Sequence, residues 1–260
     1  MNAISVSVPA AAAPATPAVI GRPVLVLQGG GSLGSYQAGV FSALDASGYC
    51  PQSVAGISIG AINGAIIAGN PPERRRQRLA SFWERVTSCP SLAWFGGNAI
   101  PGGGDLISTW PDALRHQWSA ATTALAGAPG FFQPRFPWMP AWWPGQTSLY
   151  DTSQLRDTLN ELIDWDLLNS GAVRLAVGAV NVETGNFRYF CTSRERLDAR
   201  HIMASGALPP GLPAIEIDGQ WWWDGGLVSN TPLDHVLDDH NDQELAIFQV
   251  DLFPARGALP

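Results

Sequence analysis

Val24-Leu25-Val26-Leu27 is an unbroken apolar run that ends in a glycine cluster, the pattern of a buried parallel strand feeding a loop. From Gly34 to about Ser47 the spacing predicts a helix with Ala38, Phe41, Ala43 and Leu44 available for packing. Ser53-Val54-Ala55 reads as a second short strand, and Ala61 to Ala68 as a small-residue helix able to lie close on a sheet. Residues 23–69 therefore read strand, loop, helix, strand, turn, helix, the opening of an α/β fold. Pro71-Pro72-Glu73 starts a further helix, because proline suits the first helical turn. Its Leu79, Phe82, Trp83 and Val86 form one apolar stripe, while Arg74, Arg75, Arg76, Arg78 and Arg85 fill the rest. Those arginines are expected to be a solvated face; attraction to anionic lipid headgroups is the alternative.

Periodicity fades over residues 90–149. Trp94, Phe95, Trp110, Trp118, Phe131, Phe132, Phe136, Trp138, Trp142 and Trp143 lie there among many Gly and Pro. The stretch reads as a long insertion between two blocks of the core, either a lid or interfacial surface or a satellite core. Order returns at Asp151-Thr152-Ser153, which can cap a helix carrying Leu155, Leu159, Leu162 and Ile163. Val173 to Val182 is expected as a strand, turned by Glu183-Thr184-Gly185-Asn186 into Phe187 to Phe190. Arg200 to Gly206 reads as a helix stopped by Pro209-Pro210. Asp218-Gly219 joins Ile215 to Ile217 with Gln220 to Trp223 in a type I′ hairpin. A helix after Thr231-Pro232, with Leu233, Val236 and Leu237 inward, precedes a last strand, Leu245 to Val250. The chain stops soon after that strand. Strand edges are normally paired or covered, so a further segment or a partner chain is an open expectation, and the oligomeric state is unassigned.

Composition narrows the function. The chain has 260 residues, 46% hydrophobic and 14% charged, with net charge −7, which suits one large globular domain and not a nucleic-acid binder. All 15 basic residues are Arg, so a Walker lysine, a Schiff-base lysine, a Ser–Lys dyad and a kinase lysine are excluded together. Cys50, Cys89 and Cys191 are scattered and read as thiols of a reducing, cytoplasmic compartment. His116, His201, His235 and His240 make no metal-ligand pattern, and no apolar run is long enough to span a bilayer. Residues 1–21, rich in Ala and Pro, are expected to be a flexible tail.

Three segments carry candidate chemistry. Gly29-Gly30-Gly31-Ser32-Leu33-Gly34 follows a strand and opens a helix. A dinucleotide loop in this setting wants an acidic residue at the end of the next strand. Cys50 to Gly56 supplies none, which leaves backbone N–H groups able to bind an anion. Gly56-Ile57-Ser58-Ile59-Gly60 joins a strand to a helix, the setting of a nucleophile elbow, or else of a plain Gly/Ser turn. Asp224-Gly225-Gly226 follows Trp221-Trp222-Trp223, so the carboxylate is expected to be desolvated by the three indoles and made a better base.

With Ala204 to Pro209 and Asn230-Thr231-Pro232, these segments make the chain resemble the patatin-like phospholipases, over roughly residues 23–251. The resemblance implies a three-layer α/β/α fold with a mostly parallel central sheet, spanning residues 22–260 and carrying the 90–149 insertion. It implies Ser58 as acyl nucleophile, Asp224 as general base, and an oxyanion hole of N–H groups at Gly30, Gly31 and Ser32. Gly29, Gly34, Gly56, Gly60, Gly225 and Gly226 complete the motifs. Ser32-Leu33 stands where many family members carry a basic residue, which fits a neutral or short-chain ester.

The expected function is hydrolysis of a lipid or fatty-acyl ester through a Ser–Asp dyad, without metal or cofactor, with peripheral contact at a membrane. One rival is an α/β-hydrolase triad completed by His235 or His240, although Gln28 stands where such enzymes lead the loop with histidine. The others are a non-catalytic lipid-binding module and a nucleotide-dependent oxidoreductase.

Overall fold

The computed structural model describes residues 21–88, 127–135, 147–239 and 244–253. Outside the described residues lie the tail, Cys89, His116, His240 and the aromatics Trp94, Phe95, Trp110, Trp118, Phe136, Trp138, Trp142 and Trp143.

Strands β1 (Arg22–Leu27) and β2 (Ser53–Gly56) bracket helix α1 (Gly34–Ala46), as the spacing predicts. Helices α2 (Ile59–Ala68) and α3 (Pro72–Thr87) follow. A two-residue pair, β3 (Gln133–Pro134) and β4 (Tyr150–Asp151), leads into α4 (Ser153–Leu162) and α5 (Trp165–Asn169). Next come β5 (Arg174–Asn181), β6 (Phe187–Cys191) and α6 (Ala199–Ser205). The hairpin β7 (Ile215–Ile217) and β8 (Gln220–Asp224), helix α7 (Leu233–Asp239) and β9 (Leu245–Val250) complete the described chain. Asp218 and Gly219 both have positive φ, 52° and 78°, as a type I′ turn requires.

The central sheet runs β7-β8-β5-β2-β1-β9, with β6 also on β5. β9, β1, β2 and β5 are mutually parallel; β6, β7 and β8 join antiparallel. Helices lie on both faces, so the architecture is the expected α/β/α layering around a mostly parallel sheet. On one face Leu25, Leu27, Val54, Leu175 and Val177 pack against α2, α3, α4 and α6 through Ile62, Ile66, Leu79, Phe82, Leu159 and Ile202. On the other, Val24, Val26, Ala55, Ala176 and Cys191 lie under Val236 of α7.

The register places β2 and β8 unusually. Ala176 and Val177 pair with both β2 and β6, and Ala179 and Val180 pair with both β6 and β8. A strand has only two edges, so β2 and β8 share one edge of β5, end to end. Gly178 lies between them.

Two expectations need correction, on Arg75 and Leu237, and two are made specific. Arg75 belongs to no solvated face: it is buried and its Nε donates to the Asn70 carbonyl at 3.0 Å. Arg74 and Arg76 are exposed as expected, with Arg76 paired to Asp45, and the partly exposed Arg85 pairs with Glu161. Leu237 is exposed, because the short α7 reaches the sheet through Leu233 and Val236 alone. Phe131 and Phe132 form a satellite of the core: Phe131 packs on Phe82 with ring centres 6.4 Å apart, and Phe132 on Tyr150 at 4.7 Å. As expected, the Asp151-Thr152-Ser153 stretch caps α4: Asp151 Oδ1 accepts the Ser153 N–H at 2.9 Å, while the Thr152 side chain makes no cap.

Phe82 is fully buried between α3, α2 and the Phe131 satellite. Phe82→Ala is expected to cost about 3–5 kcal/mol in urea unfolding, the usual penalty for an unfilled aromatic site.

Candidate active site

The residues of the three motifs meet at the carboxyl ends of β1 and β2. β2 ends at Gly56 and α2 begins at Ile59, so Ser58 occupies the corner, with φ 55° and ψ −121°. Positive φ at a residue with a Cβ is unfavourable and persists only where the surroundings impose it. The surroundings here are glycines. A Cβ on Gly60 would stand 2.3 Å from the Leu27 carbonyl oxygen, and one on Gly56 would stand 2.3 Å from that of Gly60. Helix α2 can start this close to β1 and β2 only with both side chains missing. The Ser205 hydroxyl accepts the Ser58 N–H at 3.1 Å and pins the corner from α6.

Asp224 ends β8 on the same edge of β5, opposite Ala179, just past the point where β2 stops. A Cβ on Gly225 would lie 2.4 Å from the Gly178 carbonyl, and one on Gly178 would lie 2.6 Å from Ile57 Cδ1. The bare Gly178 thus lets both chain ends converge. The Asp224 carboxyl accepts hydrogen bonds from Ser58 and from the Gly226 N–H, the latter at 2.7 Å. Burial pushes its pKa up, and these two bonds oppose the shift. The cause of that burial differs from the expectation. Successive strand residues alternate between faces. Trp222 shares the Asp224 face and is buried, whereas Trp221 is exposed and Trp223 half-buried. The carboxylate is enclosed instead by its own pairing on β5 and by Ala207, whose carbonyl accepts the Asp224 N–H at 3.0 Å.

The glycine loop reaches the same corner. Gly29 is so close that a Cβ would be 3.2 Å from Ser58 Cβ. Gly31 has φ 57°, and a single 3-10 turn over Gly31–Leu33 leads into α1 at Gly34, which packs against Ile59. Leu33 N–H closes onto the Gly30 carbonyl. The amides of Gly30, Gly31 and Ser32, at the cap and first two positions of that turn, have no acceptor among the described residues.

Side chains that the motifs do not include hold this loop. Asn230 Nδ2 donates to the Gly29 carbonyl at 2.9 Å, and its own carbonyl accepts the Gly29 N–H at 3.1 Å. Gln28 Oε1 accepts the N–H groups of Leu252 and Phe253, while Gln28 Nε2 donates to Thr231. Gln37 donates to the Gln28 carbonyl, and Asn63 donates to Gln37 and to the Gly34 carbonyl. Asn63 is fully buried in an otherwise apolar helix, and that misplaced amide was the one sequence signal of the network.

His235 is not part of this cluster. It stacks on Tyr189 with ring centres 3.9 Å apart, and its Nε2 lies 3.6 Å from Cys191 Sγ, on the face covered by α7. His201 is taken up in the N-terminal cap of α6, where its Nδ1 accepts the Asp198 N–H. Burial pushes the Cys191 thiol up to about 11, and both described cysteines, Cys50 and Cys191, are free. A cavity of about 500 Å³ lined by Arg135, Arg156, Arg200 and Trp221 contains none of the motif residues. Among the described residues there is no cluster of metal-ligating side chains, and no helix is long and apolar enough to cross a membrane.

The strain at Ser58 is separable from its chemistry. Ser58→Gly and Ser58→Ala both remove the hydroxyl, but only glycine relieves the backbone. Ser58→Gly is expected to be the more stable by about 1 kcal/mol or more in urea unfolding.

A comparison with curated proteins found no match. Among solved structures the chain is similar to VipD from Legionella pneumophila, at 14% identity and a TM-score of 0.47, over 88% of this chain and 49% of that one. The chain thus spans about half the length of that protein. The family model of the patatin-like phospholipases matches residues 25–237, which takes in the glycine loop, the Ser58 corner and the Asp224 turn. By that match the chain belongs to the patatin-like phospholipase family, whose general activity is the hydrolysis of lipid acyl esters.

Proposed function

We propose that this chain is a serine acyl-ester hydrolase working through a Ser58–Asp224 dyad. The observation that carries the reading is the hydrogen bond between the Ser58 hydroxyl and a buried carboxylate whose other partner among the described residues is the Gly226 amide. A serine hydroxyl is a weak nucleophile until a base within hydrogen-bond reach takes its proton. Asp224, with its pKa raised by burial, is a stronger base than an exposed aspartate.

In the proposed reaction Ser58 Oγ attacks the ester carbonyl as its proton passes to Asp224. Charge then develops on the carbonyl oxygen, and the amides of Gly30, Gly31 and Ser32 would receive it. Collapse of the tetrahedral intermediate returns the proton from Asp224 to the departing alcohol. Water, deprotonated by Asp224, then hydrolyses the acyl-enzyme and frees the fatty acid. The enzyme unit would be residues 22–260, with the 90–149 stretch inserted in it. The position of His235, stacked on Tyr189 across the sheet from Asp224, supports a dyad over a triad.

A fluorophosphonate probe should label the wild type, and Ser58→Ala should abolish labelling. On p-nitrophenyl esters of rising chain length, Asp224→Asn is expected to lower turnover about 10²–10⁴-fold, the usual effect of removing a general base. His235→Ala should leave turnover nearly intact; a comparable loss there, with unchanged circular dichroism, would replace the dyad by a triad.

The pH dependence has a definite sign. Only ionised Asp224 can act as base, so kcat/KM should fall on the acid side at a pH above the ordinary carboxylate value of about 3.9. A carboxyl whose folded-state pKa is raised contributes most to stability below its unfolded pKa, and that contribution is lost as pH rises through the folded pKa. Above the folded pKa the buried charge is therefore a burden. Asp224→Asn, which keeps an acceptor for the Gly226 amide, should raise Tm while removing turnover.

A further inference from the structure

We infer that the rim around Ser58 is a docking surface for a lipid aggregate without net charge, and that the esters hydrolysed there are presented from such a surface. The inference rests on Ser58 as the reacting group. Five exposed apolar side chains stand within a few residues of groups that touch Ser58 or the glycine loop. Leu33 and Tyr36 follow the loop, and Tyr36 is 63% exposed. Leu208 follows Gly206, where a Cβ would be 4.0 Å from Ser58 Oγ. Val228, 60% exposed, follows the Asp224 turn. Phe253 follows Leu252, which packs over Gly30. Four separate segments thus bring exposed apolar groups to one end of the sheet. Soluble proteins seldom gather them so, except where something apolar binds.

Charge is missing from the same place. Residues 23–44, 46–72, 202–215 and 225–233 contain no Asp, Glu, Arg, Lys or His. Those stretches include the loop, the Ser58 corner, the Leu208 turn and the Val228 turn. Near the rim, Asp224 is buried, and Asp251, whose carboxylate accepts from Gln249, is an exposed charge beside Phe253. The arginines that could attract an anionic bilayer sit elsewhere. The exposed Arg74 and Arg76 flank the buried Arg75, which bonds the Asn70 carbonyl beyond the C-terminus of α2, whereas Ser58 sits at its N-terminus, about 15 Å away along a ten-residue helix. Arginine-led docking would turn Ser58 away from the lipid, and the net charge of −7 opposes any anionic surface. A neutral or zwitterionic surface demands neither attraction, and the rim offers what it does need, apolar area with few charges that would have to be desolvated.

The test uses full-length Ser58→Ala protein, so that lipid is not consumed, in flotation with phosphatidylcholine vesicles and with phosphatidylglycerol vesicles. Flotation with phosphatidylcholine, little changed by salt and weaker with phosphatidylglycerol, is expected. Adding Tyr36→Ser and Val228→Ser should weaken that partition on the order of 10-fold or more, as loss of two buried apolar side chains requires. The same two changes in the wild-type background should leave fluorophosphonate labelling and p-nitrophenyl butyrate turnover unchanged. Binding only to phosphatidylglycerol and released by salt, or binding to phosphatidylcholine that ignores the two substitutions, would overturn the inference. So would a dimer in size-exclusion chromatography that the two substitutions dissolve, since a second copy would then cover the rim. Wild-type protein that floats but resists the fluorophosphonate would overturn Ser58 as nucleophile while still supporting the docking.

Discussion

The site depends on two strand ends abutting along one edge of β5. A parallel strand, β2, arrives from one direction and an antiparallel strand, β8, from the other, and Gly178 lies where they would collide. A side chain at Gly178 would push against Ile57 and Phe187, and a side chain at Gly225 would strike the Gly178 carbonyl. Because both are glycine, the residue that turns off β2 and the residue that ends β8 come within one hydrogen bond of each other. Ser58 and Asp224 are 166 positions apart in the chain, yet their meeting is a matter of sheet register and not of loop conformation. A pair set by register is held as rigidly as the sheet itself, which is the condition for a reacting geometry that must not drift.

That arrangement works against stability in two places. Ser58 sits in a backbone conformation that its side chain resists, and Asp224 keeps a carboxylate out of water with only two donors. The surrounding structure offsets both. Every residue of α2 is buried, so the helix that begins at the strained corner is anchored along its whole length. The amides of Gln28, Gln37, Asn63 and Asn230 satisfy the backbone of the glycine loop, and the Trp83 indole closes the chain of bonds onto Asn63. Buried amide networks of this kind stiffen a region only when each member is satisfied. The indole N–H of Trp222, by contrast, is buried without an acceptor among the described residues.

Much of this was legible in the sequence, for reasons that can be named. Local signals carried the first half of the sheet: the apolar run of β1, the small residues of α2 and the stripe on α3 each match one structural period. The three motifs were legible because glycine at fixed spacing reports close backbone approach. What failed were inferences that need a third dimension. Three consecutive tryptophans looked like a shield for Asp224, but a strand sends alternate side chains to opposite faces. Arg75 looked like one charge in a solvated run, but its helix turns that position onto the end of α2. The holding roles of Ser205, Gln28 and Asn230 were invisible because their partners lie about 150–220 positions away. No local pattern encodes such a pairing.

Strand β1 is flanked by β2 and by β9, so the first described strand lies beside the last. Gln28, at the mouth of β1, takes the amides of Leu252 and Phe253 just beyond β9. The glycine loop therefore reaches its final position only when the segment just after β9 is in place. During synthesis on the ribosome every motif residue emerges before β9 does. A nascent or prematurely ended chain would display the complete set of motifs with one side of β1 unpaired and the loop unseated.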